Sequence, residues 1–473
     1  MLTQTEFSIA AQLETVTSWT AELDQFVEQI RHRFARSETR IRVKQYLQGL
    51  LSPLERKNCW QLAEASGEQT PYGFQHLLGR AKWDAEAVRD DVRSYVLKHL
   101  GDPNAVLVLD DTGFLKQGDH SAGVQRQYTG TSGQVENCQL GVFLVYATPK
   151  SYAFIDRELY LPKSWTGSPE RCQQAHIPES VGFMTKPQLA RQMLERTFKA
   201  GITTHWVSAD EFYGRDHQLR HWLEQRRQAY VMAIPRNEIV RVDALECRVD
   251  ELAASWTDEE WVRLSCGKGS KGSRDDDWIR MGVNCPHQPD WSSDVLVRRS
   301  LEAPHKLDYF SVFAPQGTPL INLVQAAGCR WKIETSFEDA KGEVGLDHYE
   351  VRSWQGWYRH ITLSMLAHAY LSLLRMRQAT AEGYQRWNSP CHWKFSSSSL
   401  SAPLLLPLTL PEIRRLLWQL IWQRPCGAEQ VLQWSYWRRR HQTLAQHYHY
   451  QRRLSQSRAI VELAGDGESL EAI

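Results

Sequence analysis

Ala105-Val106-Leu107-Val108-Leu109-Asp110-Asp111-Thr112-Gly113 is a run of five apolar residues that stops abruptly at two acids. A continuous apolar run suits a strand covered by helices on both faces of its sheet. Asp110 directly follows the run, so its carboxylate is expected at the polar end of a buried strand. The pattern recurs in Trp206-Val207-Ser208-Ala209-Asp210, and an acid ends Arg330-Trp331-Lys332-Ile333-Glu334. Three carboxylates far apart in sequence, each where an apolar stretch meets a polar edge, are the material of a two-metal phosphoryl-transfer site. Asp111 rivals Asp110 as the ligand, Glu211 rivals Asp210, and Glu338 and Glu343 rival Glu334.

Outward from that strand, residues 139–147 and 152–161 read as a hairpin joined through Pro149-Lys150-Ser151. Residues 189–199 read as a helix, and 203–209 and 229–234 as strands. Strand, hairpin, helix, strand, helix, strand describes a mixed sheet flanked by helices. Residues 236–315 change character: 239–242, 261–264, 278–283 and 309–313 alternate like strands. Gly267-Lys268-Gly269-Ser270-Lys271-Gly272-Ser273 between them reads as a mobile loop. This predicts a β-rich insertion. Thr318-Pro319 predicts an N-cap with Pro at the first helical position, opening a long helix or helix pair to about Gly342.

Residues 1–100 read as helical, with Phe26, Ile30 and Phe34, then Val43, Leu47 and Leu50, at helical spacing. Residues 61–67 and 71–78 resemble a helix-turn-helix around Gly67. Residues 357–377 read as a helix, 396–401 as a linker, and the segment after Pro411 as a Trp- and Arg-rich helical region with an acidic end. The expected division is 1–100, a helical DNA-binding domain; 101–235, the first part of the catalytic core; 236–315, the insertion; 316–378, the rest of the core; and 379–473, the C-terminal helical region.

The 473 residues carry a net charge of only +1, which excludes a uniformly basic nucleic-acid binder. The charge is distributed in blocks, however. Residues 31–57 hold eight Lys/Arg against two Glu, and 410–458 hold nine Arg against two Glu. Such blocks suit phosphate-contacting faces. Nine cysteines without a C-x-x-C argue against a zinc ribbon or a disulfide framework. No apolar run reaches membrane-spanning length and no signal peptide is evident, so a cytoplasmic protein without a membrane partner is expected.

The Glu334 segment has a testable geometry. At about 100° per residue, Arg330, Glu334 and Lys341 fall within roughly 40° of one another on a helix. Ile333, Phe337, Ala340 and Val344 form a separate apolar stripe. One face packs while its neighbour presents base, acid, base, which suits a metal ion and a polyanionic substrate.

Arg330-x3-Glu334-x6-Lys341 resembles the R-E-K part of the Y-R-E-K signature of DDE-type insertion-sequence transposases. One bacterial branch is similar also at Asp110-Asp111-Thr112-Gly113-Phe114-Leu115-Lys116, at Arg126-Gln127-Tyr128-Thr129-Gly130, at Glu136-Asn137-Cys138-Gln139, and from Gly345 to Trp354, including Arg352. The resemblance runs from about residue 30 to about 375. The signature tyrosine would fall at Ala327, so that feature is missing. The resemblance implies an α/β, ribonuclease-H-like mixed sheet with flanking helices, a β-rich insertion before the catalytic Glu, and helical terminal regions. It implies that Asp110, Asp210 and Glu334 hold two Mg²⁺ ions, for which Mn²⁺ can substitute, and that water, or later a DNA 3′-hydroxyl, attacks DNA phosphodiesters in line. Arg330, Lys341, Lys116, Arg126, Arg352, Arg438, Arg439 and Arg440 become candidate DNA contacts. The implied partner is double-stranded DNA, both transposon ends and target, bound by a homodimer at the bacterial nucleoid.

Two other classes compete. Asp111-Thr112-Gly113 matches the D-T-G of aspartic proteases, but a second D-[ST]-G is absent from the chain. A domesticated, non-catalytic DNA-binding protein would keep the basic faces while its acids drift, and here all three acids are present. No G-x4-G-K-[ST] supports a nucleotide hydrolase.

Overall fold

The computed structural model describes residues 9–242, 245–269, 272–283, 290–381, 408–423 and 427–465. The linker expected at 396–401 and the end of the acidic tail, 466–473, lie outside them. Five helices open the described chain: α1 (Ile9–Gln29), α2 (Ser37–Leu50), α3 (Cys59–Ala65), α4 (Tyr72–Gly79) and α5 (Ala85–Leu100). Asn58 caps α3 by accepting from the N–H groups of Trp60 and Gln61, and Asp84 caps α5 through Glu86. These caps satisfy N–H groups that have no partner inside the helix.

The next segment supplies the centre of the sheet. It contains β1 (Val106–Leu115), β2 (Gln125–Thr129), β3 (Gln134–Ala147) and β4 (Tyr152–Leu159), then α6 (Lys163–Thr166), α7 (Pro169–Gln174) and α8 (Lys186–Lys199). β5 (Trp206–Ala209), α9 (Glu211–Gly214), α10 (His217–Gln225) and β6 (Tyr230–Ile234) follow. The apolar half of β1, residues 106–109, is buried throughout, as expected. The strand does not end at Asp110, however. β1 pairs antiparallel with β3 over its whole length, from Val106 opposite Ala147 to Leu115 opposite Cys138. That ladder draws the polar Asp-Asp-Thr-Gly stretch, which resembles a turn in isolation, into the strand. What ends at this level is β5, which pairs in parallel with β1 only from Val106 to Leu109.

The β-rich segment is present, but it enlarges the main sheet. β7 (Ile239–Val242) and β8 (Leu245–Arg248) form a small hairpin, followed by α11 (Val249–Ala253). β9 (Val262–Gly269), β10 (Gly272–Val283), β11 (Trp291–Arg299) and β12 (Leu307–Pro315) then join the sheet, because β12 pairs antiparallel with β6 from Tyr309–Ile234 to Phe313–Tyr230. The ten-stranded order is β2-β3-β1-β5-β6-β12-β11-β10-β9, with β4 on β3. Pairing satisfies the edge N–H and C=O groups that β6 would otherwise present to solvent. The loop expected at 267–273 is mostly ladder, since Gly269 pairs with Gly272.

The remaining helices are α12 (Leu320–Cys329), α13 (Trp331–Val344), α14 (Trp354–Ala381), α15 (Leu410–Leu417) and α16 (Ala428–Gly465). Pro319, not Thr318, stands at the N-cap of α12, and the Thr318 hydroxyl instead donates back to the Pro315 carbonyl at 2.6 Å. Gly345 ends α13 at φ 64°, a left-handed cap that glycine adopts without a Cβ penalty. A Cβ there would lie 2.8 Å from the Lys57 side chain. Residues 356–374 of α14 are all buried. A helix covered on every side belongs in a core. One apolar core runs from Phe26 and Leu47 through Val108 and Leu144 to Ile361 of α14 and Ile413 of α15. Full burial of each such side chain stabilises by about 1.5–3 kcal/mol.

Candidate active site

β1 and β5 place the first two acids. Leu109 is in register with Ala209, so Asp110 and Asp210 each come one residue beyond the last parallel pair. Neighbouring strands lie about 4.8 Å apart, and here they bring the two acids to the same level. β1 continues past this level while the chain at Asp210 turns into α9. The carboxyl end of a parallel strand, where its neighbour runs on, is where α/β sheets usually form a ligand crevice. Asp210 serves as the N-cap of α9 and accepts from the Tyr213 N–H at 3.2 Å. Asp110 accepts from the Asp111 N–H at 2.7 Å.

Both carboxyls carry the mark of crowding. Burial, then Asp210 and Asp111, push the Asp110 carboxyl well above the usual aspartate range. Burial also raises Asp210, against the Tyr213 N–H bond that lowers it. Like charges in a desolvated place cannot both ionise cheaply. The Arg330 guanidinium lowers both, so its positive charge is felt at the pair.

The pleat of β1 separates Asp110 from Asp111, because successive residues point to opposite faces. Lys341 on α13 donates from Nζ to Thr112 Oγ1 at 2.8 Å and lies 5.9 Å from the Phe114 ring centroid. Residues 110, 112 and 114 therefore share the face toward α13. Asp111 faces the other way, where Lys186 of α8 donates to Oδ2 at 2.8 Å and the Tyr213 hydroxyl to Oδ1 at 3.1 Å. Its charge is already matched. Gly113 is required for close approach, since a Cβ there would sit 1.9 Å from Thr129 Oγ1.

Glu334 stands apart. The expected helix pair divides at Arg330, and Arg330 Nη1 donates to Glu334 Oε1 at 2.8 Å. Among the described residues, no three His, Cys, Asp or Glu side chains are grouped closely enough to hold a metal ion. The structure thus brings Asp110 and Asp210 together, with Arg330 beside them and Glu334 held by Arg330. The other rivals are engaged elsewhere. Glu211 pairs with Arg215 at 3.5 Å and Glu343 with Arg414 at 2.5 Å, while Glu338 is exposed.

The candidate DNA contacts divide. Arg126, Arg352, Arg439 and Arg440 are exposed. Lys341 is tied to Thr112, to the Gly113 carbonyl at 3.3 Å and to Thr131 Oγ1 at 3.2 Å, and burial lowers its pKa. Lys116 is not a free cation. Its Nζ donates to the Tyr349 carbonyl at 3.1 Å, lies 3.6 Å from the Tyr349 ring centroid, and is lowered by burial to about 8. Arg438 pairs with Glu64 and ties α16 to α3. Lys186 and Tyr213 escaped the sequence reading. A signal existed for Lys186, a cation at a helix N-terminus, which the helix dipole disfavours unless an anion faces it.

Comparison with known families falls on this region. Residues 25–250 match the DDE superfamily endonuclease model and residues 184–370 the transposase DDE domain. The chain is also similar to a protein of Microchaete diplosiphon described as "Probable transposase for insertion sequence element IS701", 28% identical over 200 residues. That similarity covers 41% of this chain and 48% of the relative, so the chain spans about half the length of the curated relative it matches. Both family models describe DDE domains, and the chain is similar to them over these residues. No described helix is long and apolar enough to cross a membrane.

Proposed function

We propose that the protein is a DNA transposase that cuts and rejoins insertion-sequence ends, with Asp110, Asp210 and Glu334 as its catalytic carboxylates. The observation that carries this reading is the pairing of Asp110 with Asp210 at the open end of the β1–β5 ladder, where burial and the Asp210 charge push the Asp110 carboxyl up. An all-oxygen donor set of crowded carboxylates fits hard divalent cations such as Mg²⁺ or Mn²⁺. When bound, two such ions supply an activated attacking oxygen and stabilise the leaving one.

The chain's own residues position the DNA. Arg330 is the natural receptor for a scissile phosphate, because a guanidinium binds phosphate through two parallel hydrogen bonds. Its transfer from Glu334 to the phosphate frees the Glu334 carboxylate to turn toward the aspartates. Lys341 holds the Thr112–Thr131 wall of the crevice. Arg126, Arg352, Arg439 and Arg440 extend the basic surface available to duplex flanks. The working form is a homodimer spanning two DNA ends.

The protease reading loses its proton-sharing dyad, since Asp111 of the D-T-G is ion-paired to Lys186. The deciding assay is metal-dependent nicking of a DNA carrying the element's ends. Wild type should nick and Asp210→Ala should not. If Asp210→Ala cuts as well as wild type, the site is misassigned. If neither cuts and both bind, the protein is a non-catalytic DNA-binding module.

A further inference from the structure

At the opposite end of β1 and β5 from the aspartates lies a cleft of about 1260 Å³. Val106 and Trp206, at the starts of the two strands, line it, as do α12, the first turns of α13 and the turn-proximal part of the β9–β10 hairpin. Four residues of strand, about 13 Å, separate this end from Asp110. The two places are linked by Trp331, which lines the cleft next to Arg330. Its ring centroid lies 5.0 Å from the Arg330 guanidinium and 5.4 Å from that of Arg274.

The lining alternates aromatic faces with unpaired cations. Trp206, Trp291 and Trp331 are half-buried. Trp291 is fixed by stacking on Phe313, with centroids 4.6 Å apart and planes 15° apart. Lys150, Arg227 and Arg274 are exposed, and none has an ion-pair partner among the described residues. Arg227 is held at φ 53°, a backbone region that a bulky side chain seldom adopts. Lys332 is also basic and donates to the Thr148 carbonyl. Among the described residues, Glu338 is the one acid in the lining.

We propose that this cleft binds an unpaired DNA strand, with bases stacked on the tryptophans and phosphates on Lys150, Arg227 and Arg274. Duplex DNA hides its base faces in its own stack. Only an unpaired strand presents π-faces to tryptophan, and interleaved aromatic and cationic side chains are the arrangement that binds such strands. The inference rests on the DNA-cutting function. A strand whose phosphate lies at Arg330 reaches the cleft by passing Trp331.

The test uses the full-length protein in EDTA, which prevents cutting. Fluorescence anisotropy compares a labelled oligo-dT of about 12 nucleotides with a duplex of the same length. Arg274→Glu, and separately the double variant Lys150→Glu/Arg227→Glu, should weaken oligo-dT binding by about tenfold or more and duplex binding by no more than about twofold. Circular dichroism melts confirm that these surface variants fold. Trp291→Ala should weaken oligo-dT binding by a comparable factor, with Trp291→Phe recovering most of it. Unchanged oligo-dT affinity in the charge-reversed proteins, or an equal loss on duplex, overturns the proposal. A metal-dependent nicking assay run in parallel separates the two claims: cutting without oligo-dT binding removes the cleft and leaves the active site intact.

Discussion

Arg330 Nη1 donates to Glu334 Oε1 at 2.8 Å across one helical turn, while the same guanidinium lowers the pKa of Asp110 and Asp210. One cation therefore balances three acids, and whatever binds Arg330 changes the charge available to the other two.

Removing that cation should separate rate from metal affinity. Arg330→Ala should lower the nicking rate by about 10²–10³-fold, the loss typical of one preorganised donor at a developing charge. Mn²⁺ affinity, read by calorimetry without DNA, should rise, because Glu334 is released and a competing cation is gone. A fall in Mn²⁺ affinity in Arg330→Ala contradicts the balance described.

Lys186 and Asp111 should behave as a coupled pair. Both side chains are largely buried, so Lys186→Met strands a charge and should cost about 1–3 kcal/mol in urea unfolding. Asp111→Asn added to Lys186→Met should recover at least half of the loss. Additive losses in the double-mutant cycle would show that the two do not interact.

Gly113→Ala should damage the site through the backbone. A Cβ placed 1.9 Å from Thr129 Oγ1 forces β1 and β2 apart, at about 1–3 kcal/mol. Thr131, just after β2, is displaced with it and loses its grip on Lys341, so nicking should fall more than stability alone explains. Thermal melting and nicking at a temperature well below the transition distinguish the two effects.

The fold should weaken on acidification through Asp156. This carboxyl is fully buried, yet Arg196 and Arg89, each at 2.9 Å, outweigh the burial that would raise it and hold it below the usual range. A lowered native value means that the stabilisation is complete above the ordinary aspartate range and is lost as pH falls through the native value. Asp156→Asn should cost about 1–3 kcal/mol at neutral pH, because Arg89 and Arg196 lose their buried partner and keep only Glu86, Asp90 and Glu158. The variant should also flatten the acid limb of stability against pH in urea titrations. An acid limb as steep as wild type would assign the dependence to other groups.

How much of this could be read in the chain depends on the distance between interacting residues. The apolar run before Asp110 and the stripe Ile333–Phe337–Ala340–Val344 are local patterns, and they placed β1 and α13 correctly. The extension of β1 through Asp-Asp-Thr-Gly depends on β3, about 30 residues downstream, and local composition points the other way. The joining of β12 to β6 has the same character, a pairing between stretches whose alternation says only that each is a strand. Within the site, base and acid on one helical face were visible at Arg330 and Glu334. The Lys186–Asp111 pair was not, because it spans 75 residues and two elements.

Placement of the aspartates by ladder register has an evolutionary consequence. Backbone pairing is discrete, so side chains behind β1 and β5 can drift in size without changing which residues emerge at the crevice. A single-residue deletion in β5 is different in kind. It shifts the emergent residue by one full step of about 3.3 Å and turns it to the other face of the sheet. Descendants of this chain should therefore differ freely by substitution along residues 206–209 and scarcely at all in length.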